Sequence, residues 1–454
     1  MYFKKLLIAN RGEIARRIIR TARALGIETV AVSSDVDAKM PFTSEADAHF
    51  VIGAAPPAES YLHQDKILDV ARQAGVDAIH PGYGFLAENA SFARRVTEAG
   101  LTFIGPSAAS IGRVGGKLEA RRLAVDAGVP VVPGTAALPD LDAAQREAER
   151  LGYPVLVKAA AGGGGIGMAV ASDPKMLERA VAEAKKRGAA FFGSDVIYLE
   201  KLVEAPAHVE VQILADHHGH VMALGERDCT VQRRHQKVVE ETPSPRLDPA
   251  TRRAMMAAAV RLVKAAEYTN AGTVEMIYAG GGDDRGTFYF LEVNSRIQVE
   301  HPVTEMVTGR DIVALQLAIA AGERLPDLID VQRIQGCAIE ARVCAENPER
   351  KFFPSPGMLT RVVFPEATSD LRIDTGITEE SPVPPHYDSL LAKVIAWGPT
   401  RDDAIDRLKR ALAETVIEGV KTNLSIFPAV LDHPVFRRGE HDTSFLKTHL
   451  GYQY

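Results

Sequence analysis

The sequence predicts a multidomain protein of mixed α/β and α+β class, with a parallel-sheet unit first, a small glycine-loop unit next and a mixed unit last. Three observations carry that reading. Strand and helix patterns alternate over residues 4–104, as expected of a parallel sheet with helices on both faces. Pro-rich punctuation at Val129-Pro-Val-Val-Pro-Gly134 then opens a unit built around a run of glycines. Beyond it, β-like runs at 208–214, 220–226, 272–278 and 287–294 read as an antiparallel sheet. A chain of 454 residues exceeds one compact core, so two to four domains are expected.

Lys5-Leu-Leu-Ile-Ala9 is the first strand. Glu13 to Leu25 follows as a helix, with Ile14, Ile18, Ala22 and Leu25 at helical spacing and Gly26 as its stop. Glu28 to Val32 is the second strand. A helix near 64–74 with a strand at 77–80, and a helix near 91–99 with a strand at 101–104, extend the pattern to an expected boundary near residue 113. The turn after the first strand, Asn10-Arg-Gly-Glu13, lacks the Gly-x-Gly-x-x-Gly spacing, so a nicotinamide dinucleotide site is weakly supported. Within an expected unit of residues 114–330, helices at about 140–151 and 174–187 and a strand at Val196–Glu200 form a smaller piece, about 134–203. The tail, 331–454, reads as mixed, with a helix near Arg401–Glu414.

Pro154-Val-Leu-Val-Lys158 leads into Gly162-Gly-Gly-Gly165-Ile-Gly167 and a second short strand. Glycines let backbone N–H groups approach and cradle phosphate oxygens. The Lys precedes the glycines and no Gly-Lys-Ser/Thr follows, so this is not a P-loop. Four successive glycines cost much conformational entropy, which a mobile phosphate lid explains better than a plain hairpin. Lys158, at the end of an apolar strand, is costly to bury unless it meets an anion. Lys117 opens a helix after glycines, and Glu200-Lys201 ends an apolar strand where it could read an adenine and ribose.

The densest polar signal is Phe288-Tyr-Phe-Leu-Glu-Val-Asn-Ser-Arg-Ile-Gln-Val-Glu300. Read as one extended strand, it puts Glu292, Asn294, Arg296, Gln298 and Glu300 on one face. A solvated edge would more often carry Lys and Thr. Glu275 lies in Gly272-Thr-Val-Glu-Met-Ile-Tyr278, and the turn 279–286 would make the two strands a hairpin with Glu275 beside Glu292. Like charges on neighbouring strands repel, unless cations neutralise them, and hard oxygen ligands favour Mg²⁺ or Mn²⁺. Gln232-Arg-Arg-His235-Gln-Lys237 is a basic segment between two β-like runs, with Arg233, His235 and Lys237 of like parity, suited to holding a small anion.

Composition narrows the function classes. Hydrophobic content of 46%, charged content of 25% and a net charge of −6 are those of an ordinary globular protein, and they argue against a general nucleic-acid binder. No apolar run is long enough to span a membrane, and the start of the chain reads as a strand rather than a signal peptide. Cys229, Cys337 and Cys344 lack metal-ligand spacing and form no disulfide framework, which fits a reducing cytoplasm.

Over nearly its whole length the chain resembles biotin carboxylase, the ATP-grasp subunit of biotin-dependent acyl-CoA carboxylases. The matching residues are Ile8-Ala-Asn-Arg-Gly-Glu-Ile-Ala15, His80-Pro-Gly-Tyr-Gly-Phe-Leu86, Lys158 with the glycine loop, Glu226-Arg-Asp-Cys229, Gln232 to Val239, Asn294 to Met306 and Tyr387-Asp-Ser389. The Arg-Ile-Gln-Val-Glu-His-Pro run is the most specific of them. The resemblance implies an ATP-grasp fold in which residues 134–203 are the lid. It implies a ligase that carboxylates biotin through carboxyphosphate. Lys117, Lys158, Gly163, Gly164, Gly165, Glu200, Lys201, His208, Gln232 and His235 would bind ATP. Glu275, Glu292 and Asn294 would hold two Mg²⁺ or Mn²⁺ ions. Lys237, Arg296, Gln298 and Val299 would hold bicarbonate, Glu300 would take its proton, Arg342 would stabilise the biotin enolate and Tyr83 would lie against biotin. A homodimer is implied as well.

Two departures matter. Ile166 stands where the family usually has Arg or Lys, removing one cationic phosphate contact. Activity is expected to survive on the backbone N–H groups, so steady-state kinetics of Ile166→Arg should show no gain of several orders in rate. No Met-Lys dipeptide occurs, so a separate biotin carboxyl carrier protein and a carboxyltransferase partner are expected. The final acceptor, whether acetyl-CoA, propionyl-CoA, another acyl-CoA or pyruvate, is not written in these residues.

Overall fold

The computed structural model describes residues 3–160, 168–281, 285–329 and 334–453. Its N-terminal unit is a five-stranded, all-parallel sheet in the order 48–53, 28–34, 5–8, 78–80, 102–103. The helix Gly12–Ala24 buries Ile14, Ile18, Ile19 and Ala22 against it. Gly26, at φ +71°, supplies the left-handed turn that returns the chain to the sheet. The strands 5–8 and 78–80 are neighbours, so the turns after them, at Asn10 and Pro81–Tyr83, meet at the carboxyl edge of the sheet. Asn10 Nδ2 fastens them, donating to the carbonyls of Pro81 and Tyr83, each at 2.7 Å. Crevices at such an edge are where α/β sheets hold ligands.

The small unit has a three-stranded antiparallel sheet, ordered 168–171, 155–159, 197–201. The helices Leu141–Leu151 and Pro174–Phe192 cover it, capped by Asp140 and Asp173. Val155, Val157, Leu177, Val181, Ile197 and Leu199 give it a core of its own. The glycines expected to cradle phosphate, Gly163, Gly164 and Gly165, and Ile166, lie outside the described residues.

The central sheet has eight strands, each antiparallel to its neighbour, in the order 288–294, 270–278, 207–215, 221–233, 236–242, 337–344, 390–398, 371–375. Its last three strands come from the C-terminal region, so one sheet spans the site and the tail. No helix among the described residues is long and apolar enough to cross a membrane.

One expectation is corrected. The strand carrying Glu292 ends at Asn294 and does not run on to Glu300. Ser295 leaves the ladder because its N–H donates to Glu88 Oε1 at 2.8 Å. Glu300 then precedes the helix His301–Thr308, with Pro302 in its first turn. Strand alternation therefore does not place Arg296, Gln298 and Glu300; the fold of the loop 295–300 does.

Candidate active site

Glu275 and Glu292 stand directly opposite each other on neighbouring strands. Burial disfavours the charge on each. For Glu275, Lys237 and His208 outweigh that penalty and hold the carboxyl below its ordinary range. For Glu292, the Glu275 charge adds to the penalty and the carboxyl is raised. Glu292 makes no ion pair among the described residues. Asn294, two residues on along the strand, accepts from Arg296 Nη2 at 3.1 Å and leaves its own buried Nδ2 without a partner. Two carboxylates and an amide, with one carboxylate short of a countercharge, fit a hard divalent cation.

A second convergence of ligand-type atoms lies alongside, at His208, Glu210 and Glu275 and at Glu210, Cys229 and Glu300. Its cation is the protein's own. Lys237 Nζ donates to Glu210 Oε2 at 2.6 Å, Glu275 Oε1 at 2.9 Å and Glu300 Oε1 at 2.6 Å. His208 Nε2 lies 3.1 Å from Glu275 Oε2. Glu210 itself is fully buried and also holds Arg227 Nε at 2.5 Å.

Glu300 is fully buried. Burial opposes its ionisation, yet Lys237, Arg342 and Arg227 keep its carboxyl well below the usual range. Arg342 Nη2 donates to Glu300 Oε2 at 2.9 Å and Arg342 Nε to Glu240 Oε1 at 2.5 Å. Arg296 reaches from the loop to Gln298 Oε1 at 2.8 Å and to Glu88 Oε2 at 3.1 Å. Gln298 Nε2 lies 3.4 Å from Glu275 Oε1. A cavity of about 430 Å³ opens here, lined by Lys237, Arg296, Val299 and Arg342 together with Glu13 and Tyr83. Tyr83 donates its hydroxyl to Glu13.

Of the other nucleotide-side candidates, Lys117, Lys158 and Glu200 lie together. Lys158 pairs with Glu200, which also takes Arg121 Nη1 at 3.1 Å. Lys117 sits with Lys158, Glu200 and Glu292 around it, and burial lowers its pKa. Lys201 is engaged by the backbone of the small unit, donating to the carbonyls of Gly152 at 2.8 Å and Tyr153 at 3.2 Å. Gln232 is buried in its strand. The basic segment is not the single cluster its parity suggests. Its chain reverses at Arg234 and His235, which have φ of 47° and 67°. Arg233 then pairs with Glu346 at 2.7 Å, His235 is exposed on the turn, and only Lys237 enters the acidic centre.

Sequence reading missed Glu210, Glu240, Glu88 and Arg227 as parts of the site. A signal for Glu210 was present. His208, Glu210 and Gln212 alternate with Val209, Val211 and Ile213 along one strand, the same period-two pattern that singled out Glu292.

Glu240 gives the site a testable pH response. Burial, backed by the Glu300 charge, raises its carboxyl from 4.5 to about 7 despite Arg342. A carboxyl raised on folding contributes stability that is present below its unfolded pKa and lost as pH rises through the folded one. Glu240→Gln is therefore expected to flatten the fall in substrate-free stability between about pH 4.5 and 7, read as denaturation midpoints across that range. An unchanged profile would exclude Glu240 as its source.

Comparison with known proteins follows the same outline. Three family models match: "Biotin carboxylase, N-terminal domain" over residues 2–111, "Carbamoyl-phosphate synthase L chain, ATP binding domain" over 116–328 and "Biotin carboxylase C-terminal domain" over 340–448. The chain is 53% identical over 449 residues to the biotin carboxylase of Halalkalibacterium halodurans, covering 99% of this chain and 98% of that one. It is 46% identical over 445 residues to a pyruvate carboxylase subunit of Methanothermobacter thermautotrophicus, covering 98% and 89%. Among solved structures, the biotin carboxylase domain dimer of Hydrogenobacter thermophilus 2-oxoglutarate carboxylase, in complex with MgADP, ADP and bicarbonate, superposes with a TM-score of 0.95 at 43% identity. That match covers 100% of this chain and 99% of that one.

Proposed function

The chain belongs to the biotin carboxylase family, and on that premise we propose how its residues divide the work. It is an ATP-grasp ligase that uses ATP and bicarbonate to carboxylate biotin. The observation that carries the assignment of roles is the meeting of Lys237, Arg296 and Arg342 at one cavity that Tyr83 also lines, with the buried Glu300 held directly by Lys237 and Arg342.

Lys237 and Arg296, with Gln298 and the Val299 backbone, hold bicarbonate beside Glu300. Glu300 is ionised before substrate arrives, because Lys237 and Arg342 favour its charge. A carboxylate held so low is a weak base on its own. Bicarbonate draws on the same cations, so its binding moves Lys237 toward the substrate and restores basicity to Glu300 at the moment it is needed. The deprotonated bicarbonate oxygen attacks the γ-phosphorus of ATP and ADP leaves, giving carboxyphosphate. Lys117, Lys158 and the backbone of residues 162–167 receive the phosphates. Glu275, Glu292 and Asn294 would hold the divalent ions, which supply charge neutralisation at the transferring phosphoryl group. Carboxyphosphate then yields CO₂ and phosphate, and the phosphate takes the biotin N1 proton. Arg342 stabilises the negative charge that develops on the ureido oxygen as the N–C bond to CO₂ forms, and Tyr83 packs against the ring. Closure of the 134–203 unit keeps water from the labile intermediate.

The carbon acceptor lies outside this half-reaction. Relatives act in pyruvate and 2-oxoglutarate carboxylases, and the acyl-CoA assignment stays one option among these. A separate biotinylated carrier and a transferase subunit complete the reading, with a homodimer and a cytoplasmic setting that suits three free cysteines. The test is ADP release with Mg²⁺ and ATP, with and without bicarbonate and free biotin. Release should require bicarbonate and rise with biotin. Release driven by an amine without bicarbonate would overturn the proposal.

A further inference from the structure

We infer that Lys393 and Glu13 are positioning residues that lock the two walls of the cavity to each other, an inference that rests on the carboxylation reading above. Lys393 lies on the strand Leu390–Gly398 and is fully buried. A buried ammonium is costly unless acceptors and countercharges meet it. Here Nζ donates to the Val299 carbonyl at 2.7 Å and lies 3.1 Å from Glu13 Oε1, with Asp374 further off at 3.9 Å. Glu13 is also buried, and the same Oε1 accepts the Tyr83 hydroxyl.

The consequence is mechanical. Val299 and Tyr83 both line the cavity, and Lys393 does not. One ammonium therefore fixes the carbonyl of the residue before Glu300 and, through Glu13, the phenol that faces biotin. The junction has little slack. A Cβ at Gly376 would stand 2.7 Å from the Glu13 backbone nitrogen, so the C-terminal region is pressed directly against the start of the first helix. Removing the ammonium frees both walls at once. The bicarbonate side and the biotin side should loosen together, although Lys393 touches neither substrate.

Steady-state kinetics of Lys393→Met and of the double variant Lys393→Met/Glu13→Gln test this. The single variant keeps the aliphatic stem but strands the Glu13 charge, so it should lose thermal stability. The double variant removes both charges while Gln still accepts from Tyr83, so it should regain stability. In both, the KM values for bicarbonate and for free biotin should rise together, on the order of 10- to 100-fold, with the KM for ATP unchanged. A purely structural role would lower the active fraction of the single variant at unaltered KM and be cured in the double variant; that result overturns the inference, as does a rise in one KM without the other. Wild-type protein without bicarbonate-dependent biotin carboxylation would fail the functional reading first and take this inference with it. Wild-type turnover with normal KM values in both variants would sink this inference alone.

Discussion

Glu300→Gln is expected to lower bicarbonate-dependent ADP release by roughly 10²- to 10⁴-fold, the usual worth of a positioned general base, while the protein stays folded. The substitution keeps the side-chain shape. Lys237 keeps Glu210 and Glu275 as partners, and Arg342 keeps Glu240, so neither cation is stranded. An amide cannot take the bicarbonate proton. Rates measured at saturating ATP should fall with little change in the KM for ATP, and the thermal midpoint should stay near that of the parent. A loss of less than about tenfold would remove Glu300 from the proton-transfer step.

Lys237→Met is expected to cost stability as well as activity. The ammonium is the common partner of Glu210, Glu275 and Glu300. Removing one partner of a buried pair costs about 3–5 kcal/mol, and here three buried carboxylates lose it together. The sign of the pH dependence follows. With Lys237 present, the Glu275 and Glu300 carboxyls are held below 4.5, so they contribute stability above that pH which is lost as pH falls through their folded values. Without it, burial and mutual repulsion push them upward and the variant loses stability as pH rises. The gap between the two proteins should widen from about pH 5 to pH 8 in urea denaturation. A gap independent of pH would show that the carboxylates are not held ionised by Lys237.

Much of this was legible in the sequence, for reasons that differ from residue to residue. The first helix announced itself through Ile14, Ile18 and Ala22 at helical spacing with Gly26 as a stop, and it runs from Gly12 to Ala24. The edge strand Ala48–Gly53 escaped notice because it is mostly half-buried and shows no alternation. The pairing of Glu275 with Glu292 could be read because two alternating strands flank a glycine turn. The end of the strand at Asn294 could not. The polar-apolar alternation continues to Glu300, and the exit is set by Glu88, 207 residues away in the chain. Lys393 and Glu240 were silent for the same reason. Each sits in an ordinary-looking strand, and its meaning comes from a partner brought in by the sheet, Val299 at a separation of 94 residues and Arg342 at 102.

The central claim is that one bicarbonate ion sits between Lys237 and Arg296 with Glu300 as its proton acceptor. A crystal structure of the protein with MgADP and bicarbonate tests it most directly. The anion should lie within hydrogen-bond reach of Glu300, roughly 2.6–3.2 Å, with Lys237 turned toward it. Bicarbonate bound away from Arg296, or a Glu300 carboxylate still closed on Lys237 and Arg342 and out of reach of the anion, would contradict the account.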